Sequence, residues 1–109
     1  MIVDISVSRV DVAKKITPKL TVVPGDVVCL AYPADHESAS NVVTIFGSMY
    51  KIPNPLEKQS SQTNDGICRT VFDVVNPGHV KITVWGNGPV LPGRPQPKAI
   101  IDLKVLARK

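Results

Sequence analysis

Residues 68–106 read CRTVFDVVNPGHVKITVWGNGPVLPGRPQPKAIIDLKVL, and the alternation in this stretch decides the fold. Cys68, Thr70, Phe72 and Val74 share one face, with Arg69 and Asp73 on the other. Val80, Ile82 and Val84 then alternate with His79, Lys81, Thr83 and Trp85, and Ile101, Leu103 and Val105 alternate with Asp102 and Lys104. Strand side chains point to opposite faces with a period of two, so each run predicts a strand with one core face and one wet face. Asn76-Pro77-Gly78 supplies a tight turn between the first two runs. The second connection, Gly86 to Pro97, is rich in proline.

Toward the N terminus the same reading continues. Val27 to Tyr32 is apolar on both faces and predicts a central, buried strand, preceded by a Pro24-Gly25-Asp26 turn and a short strand at Leu20–Val23. Val3, Ile5 and Val7 alternate cleanly, but Val10 and Val12 fall on the opposite parity. One first strand over Ile2–Val12 therefore needs a bulge, or a crossing to a second sheet, near Ser8-Arg9. Pro33–Asn41 reads as a polar loop and Asn41–Gly47 as a strand. Pro53 and Pro55 confine any strand in Tyr50–Gly66 to a sheet edge, and Ser60–Asp65 reads as a mobile polar loop. No segment sustains helical periodicity for three turns. Strands at roughly ten-residue spacing predict a sandwich or small barrel.

The chain has 109 residues, 43% hydrophobic and 20% charged, which fits one globular domain over residues 1–109. No apolar run approaches a membrane span, and no secretory signal opens the sequence, which points to the cytoplasm, or to an extracellular setting for a processed fragment. The net charge of +4 is spread along the chain without a nucleic-acid-binding motif. Two cysteines, Cys29 and Cys68, leave two readings open: free thiols or a single bridge between neighbouring strands. His36 and His79 stand apart and no metal-ligand spacing joins them; no nucleophile elbow, zinc-protease motif or phosphate loop occurs. The expectation is a protein that is not an enzyme, with no catalytic residues, cofactor, metal or small-molecule substrate.

Seven short strands, a buried second strand and an Asn-Pro-Gly turn together resemble an immunoglobulin-like β-sandwich. The inter-sheet disulfide and core tryptophan of antibody domains have no counterpart here. Gly78–Gly86 followed by Pro92-Gly93-Arg94-Pro95 resembles the end of a filamin-type repeat. Leu20–Val28, the strand around Phe72, the Gly78-His79 turn and the chain length are similar to chagasin-type inhibitors of papain-like cysteine proteases. That resemblance implies three binding loops at one end of the sandwich, at Pro33–Asn41, Gln62–Gly66 and Gly86–Pro97. The family's Asn-Pro-Thr-Thr-Gly loop is replaced by Asp35-His36-Glu37-Ser38-Ala39-Ser40, and of its Arg-Pro-Trp motif Arg94-Pro95 remains.

The residues themselves single out the last loop. Pro89-Val90-Leu91-Pro92-Gly93-Arg94 has the Pro-x-x-Pro-x-Arg form of a polyproline ligand, and Trp85 stands at its base. The expected fold is an all-β, immunoglobulin-like antiparallel β-sandwich of about seven strands. Its expected function is non-enzymatic: a protein-interaction or assembly module that binds a partner through loops at one end. The alternative is a chagasin-like protease inhibitor. The expected contacts are Trp85, Pro89, Leu91, Pro92 and Arg94, joined by Asp35 and His36. The expected partner is another protein, or a second copy through the Lys51–Gln59 edge, and neither a nucleic acid nor a membrane.

Overall fold

The computed structural model describes residues 1–43, 53–86, 93 and 97–107. They form a β-sandwich of two four-stranded sheets. One sheet has the order β1-β3-β6-β5 and the other β2-β8-β7-β4. The strands are β1 (Ile2–Ser6), β2 (Lys19–Val22), β3 (Val27–Pro33), β4 (Glu37–Val42), β5 (Leu56–Asn64), β6 (Ile67–Val74), β7 (Gly78–Trp85) and β8 (Lys98–Val105). A single short helix, α1 (Arg9–Ala13), is present among the described residues.

Where alternation was cleanest, the strands fall as expected. Val80, Ile82, Val84, Ile101 and Leu103 are at most 1% exposed and meet Val28, Leu30, Phe72 and Val74 from the facing sheet. The parity slip after Val7 has a different cause from a bulge. Ser8 caps α1 in a capping box: its hydroxyl accepts from the Asp11 N–H, and the Asp11 carboxylate accepts from the Ser8 N–H. These bonds hold the Asp11 carboxyl below its ordinary range. Val12 is buried by the helix, and the chain crosses from the first sheet to the second through it. That crossing makes two of the six strand pairings parallel, β1 with β3 and β2 with β8, where all were expected antiparallel.

Two expected loops are strands. Glu37–Val42 pairs with β7, so the connection after β3 is far shorter than Pro33–Asn41. Leu56–Asn64 pairs with β6, taking in most of the polar segment read as a mobile loop; it lies at the sheet edge, as the prolines before it require. Of the strand expected over Asn41–Gly47, residues beyond Val43 lie outside the described set. β3 is internal, but its outward side chains Val27, Cys29 and Ala31 are half-buried rather than enclosed.

The two cysteines are free. Cys29 registers with Val71 and Cys68 with Tyr32, on opposite faces of the same sheet, so no bridge can form between them. Cys68 points inward, where its thiol donates to Tyr32 Oη at 3.3 Å and lies 3.5 Å from Ser61 Oγ. These hydroxyls, Ser61 first and then Tyr32, draw the thiol below its usual range. Cys68 is nonetheless buried, without the access a reactive thiol needs.

Candidate functional site

One end of the sandwich gathers the turns. β3 and β1 end there, β5 turns into β6 there, and β7 leaves for β8 there. The β3–β4 turn is only Ala34-Asp35-His36, closed by the His36 N–H donating to Pro33 O at 2.9 Å. It is stitched to the β5–β6 turn by the Ala34 N–H, which donates to Gly66 O at 2.9 Å. Asp65 and Gly66 both take positive φ, 52° and 76°, the backbone form a tight hairpin needs.

His36 joins the third connection. Its side chain is 7% exposed, and its Nε2 lies 3.5 Å from the point where a Cβ on Gly86 would stand. Its Nδ1 is 2.9 Å from Asp35 Oδ1. Asp35 also accepts from Arg9 Nη1 at 2.7 Å, which ties α1 to the same turn. The Arg9 guanidinium, and after it His36, hold the Asp35 carboxyl below its ordinary range. The β3–β4 turn is thus pinned to the β5–β6 turn, to α1 and to Gly86 at the end of β7.

Trp85 closes the outward side of this end. It registers with Glu37, and its indole Nε1–H donates to Glu37 Oε2 at 3.1 Å. A shallow depression lies on the other side, lined by Val7, Arg9, Val10, Tyr32, Pro33 and Ile67.

Of the expected contact residues, Asp35 is exposed at the turn and Trp85 is half-buried beside it. The His36 ring is largely covered, set between Asp35 and Gly86. Pro89, Leu91, Pro92 and Arg94 lie outside the described residues, as do Lys51 and Ile52 of the expected edge. Arg9 and Glu37 were missed as partners in the site. Their signals, a basic residue after a helix cap and an acid opposite a tryptophan, acquire meaning only when the register is known. Among the described residues no cluster of His, Cys, Asp and Glu is placed to hold a metal ion.

No family model matches the chain, and no curated protein matches it in sequence. Solved structures align along nearly the whole chain. The cysteine protease inhibitor EhICP2 from Entamoeba histolytica aligns with a TM-score of 0.60 at 9% identity, over 96% of this chain and 97% of that one. Amebosin aligns at a TM-score of 0.42 and 12% identity, over 94% and 97% of the two chains. PbICP-C, solved in complex with falcipain-2, aligns at 0.40 and 12% identity, over 95% and 99%. The first likeness is one of fold, the two-sheet sandwich described above. The likeness to filamin-type repeats finds no support in these comparisons.

Proposed function

We propose that this chain inhibits papain-type cysteine proteases, using the turns at the β3–β4 end. The observation that carries the reading is the pinned cluster itself: Ala34 bonded to Gly66, and His36 seated against Gly86, on a sandwich shared end to end with EhICP2. The role is non-enzymatic binding. The turns at this end enter a protease cleft and exclude substrate. Asp35 and Trp85 border them, and Pro89, Leu91, Pro92 and Arg94 belong to the third connection. Pre-formed turns spend little binding free energy on ordering, and a buried tryptophan or arginine is the usual anchor of such a contact.

The test is papain activity titrated with the purified chain. Competitive slowing at micromolar protein or below is expected, relieved by Arg94→Ala with Pro95→Ala at an unchanged melting temperature. No slowing at micromolar protein ends the reading for papain-type enzymes. Trp85→Ala should weaken the complex while leaving most of the stability intact. A large loss of stability would make Trp85 a packing residue.

A further inference from the structure

The outward faces of the two sheets carry opposite charge. On β2-β8-β7-β4, strict alternation turns Lys19, Lys81, Lys98 and Lys104 to solvent, all four exposed. Register sets them in rows: Lys19, Asp102 and Lys81 lie side by side across β2, β8 and β7, and Lys104 and His79 sit in the next row. Adjacent strands are about 4.8 Å apart, so Lys19, Lys81, Lys104 and His79 form one patch, and Lys98 stands beside Trp85 beyond the Ile100–Thr83 row. Among the described residues the face holds two carboxylates, and both are engaged within it, Asp102 by His79 and Glu37 by the Trp85 indole. None of the four ammonium groups is ion-paired with a described residue. The opposite sheet turns out Asp4, Glu57 and Asp73 against the lone Arg69.

We propose that the outward face of β2-β8-β7-β4 docks an acidic protein surface. Charge complementarity selects the sign of the partner, and the chemistry of the face selects its class. The cations here are lysines, hydrated point charges without the arginine fork that grips phosphate in two places. Among the described residues the face offers Trp85, and His79 already engaged by Asp102, where a single-stranded nucleic acid calls for a series of free stacking platforms. Asp102 and Glu37 oppose an unbroken polyanion but suit the mixed charges of a protein. A second copy could offer its acidic face, yet a net charge of +4 on each chain opposes that pairing. Such a patch acts mainly by steering encounter, so its contribution fades as salt rises. The proposal does not depend on the turns at the β3–β4 end.

The experiment titrates the full chain against a fluorescently labelled acidic peptide, rich in Glu and Asp with interspersed Lys and Ser, at low and at physiological ionic strength. The wild type should bind and weaken with salt. Lys19→Gln/Lys81→Gln/Lys104→Gln should lose about tenfold or more in affinity. Lys14→Gln/Lys15→Gln/Lys58→Gln, with the same net charge, should keep most of it. Lys81→Glu alone, checked for an unchanged melting temperature, should weaken binding in the same direction. Equal losses in the two triple variants would overturn the proposal, since net charge alone would then explain binding. It would equally be overturned if heparin or an oligothymidylate of equal charge bound more tightly through the same lysines, or if light scattering showed the wild type pairing through this face.

Discussion

β7–β8 and β5–β6 are antiparallel pairings of the same length, eight registered pairs each, at opposite extremes of burial. The inner side chains of β7 and β8 are sealed in the core, whereas β5 buries Leu56 and leaves its other eight residues exposed. The backbone ladder is alike in both; the source of its stability is not. β7 and β8 are strands because removing their apolar face from water drives them together. β5 is a strand because β6, itself anchored by Cys68, Thr70, Phe72 and Val74, offers a fixed row of backbone donors and acceptors. A bulge between Lys58 and Ser60 interrupts the β5 register, as is common at sheet edges.

Truncation inside the first pairing should produce the largest effect. Ile101→Ala removes a side chain with no exposure and should cost about 2–5 kcal/mol in urea unfolding. Gln62→Ala in the second should change stability by at most about 0.5 kcal/mol. Comparable losses at the two positions would erase the distinction. The pairings meet at Gly78, the first residue of β7, and there a smaller loss is expected. Its φ is +153°, and a Cβ would come within 2.8 Å of the Cγ of Pro55, a buried proline just before β5. The Val75 N–H already donates to Pro55 O at 2.8 Å, so the proline has little room to move. Gly78→Ala should therefore destabilise by about 1–3 kcal/mol. A neutral result would mean that the β5 end yields more readily than this junction implies.

The same contrast explains what could be read in advance. Phe72, Val80, Ile82, Ile101 and Leu103 announce their strands because burial dictates both their identity and their spacing. Nothing in Glu57–Asn64 announces a strand, since its partners are backbone groups on β6 and any soluble side chain serves. Glu37–Val42 is hidden for the same reason, with two serines, an alanine and an asparagine in six residues. α1 has five residues, too few for helical periodicity; only Ser8 and Asp11, three apart, marked its start. At the turns, Asp35 and Gly66 were legible as loop residues. The Arg9–Asp35 contact joins residues 26 apart, and no local pattern encodes it.

Charge on the outer faces gives a finer comparison. Glu57 and Asp73 stand directly opposite each other in β5–β6, a like-charge pair that weakens a ladder. Glu57→Lys should raise stability by about 0.2–1 kcal/mol, read as a higher denaturant midpoint at unchanged slope. No gain would mean that solvent at this edge already screens the pair.

β7–β8 carries the complementary arrangement, and it should show itself through pH. Asp102 lies against His79, with Lys81 and Lys19 beside it, and these groups hold its carboxyl below the ordinary range, His79 foremost. A carboxyl whose folded value is depressed adds stability that is fully present above its unfolded value, about 3.9, and lost as pH falls through the lower folded value. Asp102→Asn should therefore be less stable than the wild type at pH about 6, and the gap should close as the acid limb passes below about 4. His79→Gln should shift the wild-type acid limb toward higher pH, because the largest cause of the depression is gone. The effect is small, since both side chains are partly solvated. Its sign separates the two explanations of the pairing. A gap that persisted unchanged into acid would mean that Asp102 contributes by packing on β8, and that the ladder alone, as in β5–β6, holds this outer face together.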